Sequence, residues 1–188
     1  MNIAFIGMPG SGKSTFGAYV AKFMNMQLID TDAEICKKYG DIGVLFQSGE
    51  NLFREIEKNE LLAAANSDNS VIACGGGAVL CKEAMHAILQ NSLVVYLQCD
   101  SELLQKRLIE SEQKRPLLAG DENSLLQKIQ QLEKQRSELY LRYSQITLDV
   151  SGILSSRNLL DSELSDQLGA LQLELLLALE RRVHKKFK

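Results

Sequence analysis

Several features are scarce in this chain, and each scarcity removes a class of function. Only two histidines, His86 and His184, accompany four cysteines, Cys36, Cys74, Cys81 and Cys99, and no C-x-x-C pair occurs. Neither a zinc site nor the disulfide framework of a secreted domain follows from such spacing, so the cysteines are expected to be reduced thiols in a cytosolic protein. Positive charge is not in excess: 21 Lys and Arg against 24 Asp and Glu give a net charge of −3. A nucleic-acid surface needs a basic field over a whole face, so any anionic ligand must instead be met by a local arginine cluster. No apolar run approaches ~18 residues, and no basic segment precedes the first apolar stretch, so insertion into a membrane and export are not expected. Pro/Gly/Ser-rich linkers, internal repeats and low-complexity stretches are also missing. With 188 residues, 45% hydrophobic and 24% charged, the chain is expected to form a single domain with a sizeable core.

What is present begins at the N-terminus. Asn2-Ile3-Ala4-Phe5-Ile6 runs into Gly7-Met8-Pro9-Gly10-Ser11-Gly12-Lys13-Ser14-Thr15, followed by the helical pattern Phe16-Gly17-Ala18-Tyr19-Val20-Ala21. A strand, a glycine-rich turn closing on G-K-S, and a helix make up the phosphate-binding P-loop in its proper context. The glycines let backbone N–H groups converge, and the helix dipole points its positive end at the same place. Gly10, Ser11, Gly12, Lys13, Ser14 and Thr15 are therefore the candidate ATP-binding residues, with Lys13 reaching the β- and γ-phosphates and Ser14 holding Mg²⁺.

Apolar strands then alternate with helical patterns. Strands are predicted at 27–30, 70–74, 93–97 and 145–149, with helices near 50–66, 82–91, 100–112 and 123–143. Such an alternation implies an α/β fold with a parallel sheet covered on both faces, with function at the carboxyl ends of the strands.

The segments after the strands carry further chemistry. Asp30-Thr31-Asp32 places two carboxylates one residue apart, which strand alternation would turn to a common side, although an Asp at a strand end also caps helices. Gly75-Gly76-Gly77 lets a ligand approach the backbone, or else marks a bulge or strained turn. The strand before it ends without the acid many P-loop proteins use for Mg²⁺, and Asp30 on a neighbouring strand is the natural substitute. Arg54 lies three residues before Glu57, a spacing that orients a guanidinium and is equally that of a surface ion pair. Lys114-Arg115-Pro116-Leu117-Leu118-Ala119-Gly120-Asp121 fits either a flap carrying an arginine over the γ-phosphate or a plain helix connection. Arg136, in Arg136-Ser137-Glu138-Leu139-Tyr140, is either a ligand or a solvated helix residue.

Taken together and in this order, the P-loop, D-T-D, G-E-x-x-F-R-x-x-E, G-G-G, R-P-L-L and R-x-x-L-Y motifs resemble those of the shikimate kinase family over about residues 1–150. The resemblance implies a three-layer P-loop fold of the nucleoside-monophosphate-kinase type with a five-stranded parallel sheet. It also implies a substrate-binding segment at 31–62 and a lid at 112–123, whereas the extended C-terminal helix expected at 159–188 is longer than the family normally carries. It implies transfer of the ATP γ-phosphoryl group to the 3-hydroxyl of shikimate, with Mg²⁺ as cofactor. By the same resemblance, Asp32 contacts the accepting hydroxyl, Arg54 and Arg136 grip the substrate carboxylate, and Gly76 within Gly75–Gly77 bonds a ring hydroxyl. Arg115 is the lid arginine on ATP, catalytic together with Asp32 and Lys13, and Asp30 holds Mg²⁺ through water beside the direct ligand Ser14.

The chain departs from the family pattern after the fourth strand. Arg107 stands near the family's adenine-stacking arginine with one residue more before the lid, and Arg157 matches an adenine-loop arginine only after a small insertion. The tail places Leu164, Leu168, Leu171 and Leu175 at helical spacing before a basic end. This fits a last helix packed on the sheet, or a seam for self-association in a protein otherwise expected to be a monomer. Two other functions use the same P-loop: a kinase of gluconate or a nucleoside monophosphate, and a non-catalytic ATP-binding regulatory module.

Overall fold

The computed structural model describes residues 1–110, 118 and 122–155. Their centre is a five-stranded parallel sheet in the order β2-β3-β1-β4-β5, built from β1 (Asn2–Ile6), β2 (Gln27–Asp30), β3 (Ser70–Ala73), β4 (Ser92–Gln98) and β5 (Ile146–Asp149). β1 and β3 are buried along their whole length, as strands covered on both faces must be, and this is why their sequences are apolar after the polar first residues Asn2 and Ser70. Eight α-helices and a 3-10 turn at Ala78–Leu80 complete the described chain: α1 (Lys13–Met24), α2 (Thr31–Tyr39), α3 (Ile42–Ser48), α4 (Glu50–Ala65), α5 (Lys82–Asn91), α6 (Ser101–Glu110), α7 (Glu122–Tyr143) and α8 (Ser151–Ser155). Parallel crossovers are right-handed, so the step from β1 out to β2 and the steps back through β3 to β4 and β5 put α1 on one face and α4, α5 and α7 on the other.

The edge of the sheet at β2 is where the sequence expectation needs correcting. No helix was expected between residues 31 and 49, yet α2 and α3 fill that segment. Local chemistry explains both. Asp30 Oδ1 accepts the Ala33 N–H at 3.1 Å and caps α2, and Asp41 Oδ1 accepts the Val44 N–H at 3.0 Å and caps α3. Gly40, at φ +92, ends the first of them. Asp32 therefore stands in the first turn of a helix, and the strand alternation that was to bring it and Asp30 to one side does not apply. Other boundaries shift slightly: α6 starts at Ser101 and is described to Glu110, and α7 is described from Glu122, so residues 122 and 123 of the expected lid are helical. The rest of the expected lid apart from Leu118, and the C-terminal extension at 159–188, lie outside the described residues.

The core runs through Ile3, Phe5 and Ile6 of β1, Ile72 of β3 and Leu97 of β4, all at 2% exposure or less. Asn2 is one buried polar residue among these strands: its side chain donates to Ser67 O at 2.8 Å and accepts the Ser70 N–H at 3.0 Å, which pins the start of β3 to β1. All four cysteines are free thiols. Burial pushes the Cys74 thiol up to about 12 and that of Cys99 to about 11, so neither is a thiolate at neutral pH. No described helix is long and apolar enough to cross a membrane.

Candidate active site

The carboxyl ends of β1, β2 and β3 open into one cavity of about 920 Å³. One end is the P-loop. Gly10 and Gly12 take φ values of +86 and +87, a left-handed backbone that only glycine adopts cheaply, and α1 starts directly after Gly12. Ser14 and Thr15 are exposed at that helix N-terminus and line the cavity with Gly10, Gly12 and Lys13. Lys13 is buried and its Nζ donates to Gly7 O at 3.0 Å and Met8 O at 2.8 Å, which folds the side chain back along the loop. Ser11 is fully buried and stands apart from the cavity; its N–H closes a turn on Met8 O at 3.2 Å. Arg107 of α6 donates from Nε to Gly10 O at 2.9 Å, so α6 is tied to the rim of the phosphate loop. Asp30 pairs in register with Ala73, so β2 is indeed the strand beside the one that lacks a terminal acid.

The other end of the cavity is lined by Asp32, Arg54, Glu57, Gly76, Gly77 and Arg136. Arg54 is no ordinary surface residue. Its Nη1 donates to Glu57 Oε2 at 2.7 Å and its Nη2 to Glu50 Oε1 at 3.2 Å, while the guanidinium carbon lies 5.8 Å and 5.4 Å from the ring centres of Phe46 and Phe53. Glu57 is 3% exposed, and burial pushes its carboxyl above the usual carboxylate range against the pull of Arg54. Arg136 is likewise 3% exposed, which rejects a solvated helix residue. Its Nη1 donates to Gly76 O at 3.0 Å, and the Tyr140 hydroxyl, one helical turn later, donates to the same oxygen at 2.8 Å. Tyr140 in turn stacks on Tyr96, with ring centres 5.0 Å apart.

The triple glycine links all of these. None of the three has a positive φ, so a strained turn is not the reason for them. Each excludes a side chain for a separate steric reason. A Cβ on Gly75 would lie 2.5 Å from Asp32 Oδ1, one on Gly76 would lie 2.9 Å from the Pro9 ring, and one on Gly77 would run into Arg54 Nη1. Gly75 itself does not line the cavity, and its N–H is taken by Thr31 Oγ1 at 2.9 Å. Phe46, Phe53 and Thr31 were not recognised as site residues from sequence. Phe53 sits beside Arg54 in the motif, but Phe46 lies in α3, a helix that local patterning did not reveal. Arg115 and Arg157 lie outside the described residues.

A model of the shikimate kinase family matches residues 9–164, from the phosphate loop to beyond β5. The chain belongs to the shikimate kinase family. It is an ATP-dependent kinase acting on shikimate, and a gluconate or nucleotide acceptor and a purely regulatory role give way to that assignment. The shikimate kinase of Mycobacterium leprae (strain TN) is 38% identical over 148 residues, which cover 78% of this chain and 72% of that one. The solved structure of shikimate kinase from Acinetobacter baumannii in complex with shikimate superposes with a TM-score of 0.80 at 30% identity, covering 94% of this chain and 93% of that one. That of the Bacteroides thetaiotaomicron shikimate kinase gives 0.82 at 31% identity, covering 94% and 98%. The P-loop kinase fold expected from sequence is therefore the fold observed, with helices around a five-stranded parallel sheet.

Proposed function

We propose that the two ends of this cavity divide the reaction between them, with Mg·ATP on the P-loop and shikimate between Asp32, Arg54, Arg136 and the glycine strip. The observation that carries this is the continuity of the cavity from Ser14 and Lys13 to Arg54 and Arg136, with Asp32 among its lining residues. Arg54 and Arg136 supply the donors that a substrate carboxylate requires, and the residues that fix Arg54 before substrate arrives reduce the ordering cost of binding. The oxygen donors at the nucleotide end, the Ser14 hydroxyl and the Asp30 carboxylate, suit a hard cation such as Mg²⁺, Ser14 directly and Asp30 through water. A Mg²⁺ ion held by these residues would supply positive charge beside the β- and γ-phosphates.

In the transfer, the 3-hydroxyl oxygen of shikimate forms a bond to the γ-phosphorus as the bond to the β–γ bridging oxygen breaks. The transition state is loose, so the hydroxyl proton leaves late, and Asp32 chiefly orients the hydroxyl before accepting that proton. Lys13, the N–H groups of Gly10 and of Gly12 to Thr15, and Arg115 from the lid meet the charge on the transferring group. Arg107 and Arg157 belong to the adenine end. The chain acts as a cytoplasmic monomer of one domain, with residues 159–188 outside this chemistry.

Asp32→Asn tests the central assignment. Shikimate-dependent ADP release should fall by about a hundredfold or more while ATP affinity is kept. A variant that retained most of its activity would remove Asp32 from the reaction.

A further inference from the structure

The middle residue of Asp30-Thr31-Asp32 touches neither end of the cavity, yet it is fully buried. Its hydroxyl is used twice: Oγ1 accepts the Gly75 N–H at 2.9 Å and donates to Ala73 O in a longer contact of 3.4 Å. The position of these bonds matters. The ladder between β2 and β3 ends at the pair Asp30 and Ala73, where the chain turns from strand into α2. Beyond that pair no strand remains to hold the start of α2 against the segment after β3, and the Thr31 hydroxyl carries the connection one step further. The next residue on one side is Asp32, and Gly75 on the other is the residue whose missing side chain leaves room for the Asp32 carboxylate.

We infer that Thr31 is a positioning residue for phosphoryl transfer: its hydroxyl continues the sheet's hydrogen bonding past the last strand pair and so sets where Asp32 stands against the glycine strip. The inference rests on the placement of Asp32 at the accepting hydroxyl. A threonine serving only to fill space would be replaced without loss by valine, which has the same shape, and would be damaged by serine, which loses the methyl group. A positioning hydroxyl gives the opposite order.

The test compares Thr31→Val and Thr31→Ser in the full chain, with Thr31→Ala in place of the valine variant should that protein not accumulate. Displacing a reacting group by ~1 Å costs up to about a hundredfold, so T31V is expected to lower kcat/KM for shikimate about tenfold or more. T31S should stay within about threefold of the parent, and the affinity for an ATP analogue should be kept within about twofold in both variants. In the Asp32→Asn background T31V should add less than about threefold, because residues acting through one another are not additive. The inference is overturned if T31V matches the parent, if T31S is the worse variant, if ATP binding falls in step with activity, or if the two losses multiply. Retained activity in D32N alone refutes the placement of Asp32 and with it the route assigned to Thr31. An inactive D32N beside a fully active T31V refutes the role of Thr31 alone.

Discussion

Replacing Arg136 by methionine should cost the protein its grip on shikimate and almost none of its stability. Arg136 is 3% exposed and, among the described residues, its Nε–H has no partner, while Nη1 reaches Gly76 O at 3.0 Å. Hydrogen bonds to a charged group contribute about 1.5–3 kcal/mol, and each ~1.4 kcal/mol is tenfold, so the KM for shikimate should rise by roughly 10- to 150-fold with ATP affinity unchanged. Stability balances differently. Methionine keeps the stem's packing, Gly76 O keeps the Tyr140 hydroxyl at 2.8 Å, and removal of the unpartnered Nε–H relieves a desolvation cost of about 1–3 kcal/mol. Opposing these are the lost bond to Gly76 and the field of Arg136 on Glu57, which together offset most of that relief. The net change should lie within about 1 kcal/mol, or about 2–4 °C in Tm. Thermal unfolding with and without shikimate reads both halves. At about 100 times its Kd the ligand stabilises the parent by about 2.7 kcal/mol, or roughly 5–10 °C, and the same concentration should stabilise the variant by only about 0.3–1.4 kcal/mol, or roughly 1–6 °C. An unchanged KM would refute the carboxylate role, and a fall in Tm above about 10 °C would show that Arg136 holds the fold rather than the substrate.

Two further outcomes probe the same end of the cavity. Gly77→Ala puts a methyl group against Arg54 Nη1 and 3.0 Å from Glu57 Oε1, so Arg54 must leave its pair. The KM for shikimate should rise about tenfold with ATP binding intact, and parental kinetics would show that the site tolerates the group. Glu57 has a folded pKa raised above its ordinary value of 4.5, chiefly by burial, so the native state holds its proton more tightly than the unfolded chain. The stability this contributes is fully present below about 4.5 and is lost as the pH rises through the folded pKa. The stability of the parent relative to Glu57→Gln, from urea unfolding between about pH 4 and 8, should therefore decline as the pH rises. A difference that stayed constant or grew in favour of the parent would contradict the burial of this carboxylate.

Much of the nucleotide end was legible in the sequence because its chemistry is local. Gly10, Gly12, Lys13 and Ser14 lie within five residues, and the loop needs nothing beyond its own backbone and the helix that follows. The continuous apolar runs of β1, β3 and β4 announced a sheet covered on both faces for a similarly local reason, since burial on both sides removes the alternation of an exposed strand. Family resemblance carried the acceptor-side residues, but their pattern alone left each one open to an ordinary interpretation. Arg54 with Glu57 is a common surface spacing, and Arg136 is one charge on a long helix. Only the fold buries Glu57 and Arg136 and brings Phe46 of α3 over Arg54. Spatial contact also explains the glycine strip: what excludes a side chain at Gly75, Gly76 and Gly77 is Asp32, Pro9 and Arg54, residues 43, 67 and 23 positions earlier in the chain, respectively. Sequence determined the phosphate loop, because hydrogen-bond donors a few residues apart converge through backbone geometry alone. The tertiary structure decided the acceptor pocket, because burial and steric exclusion arise between segments distant in the chain, and no local pattern records them.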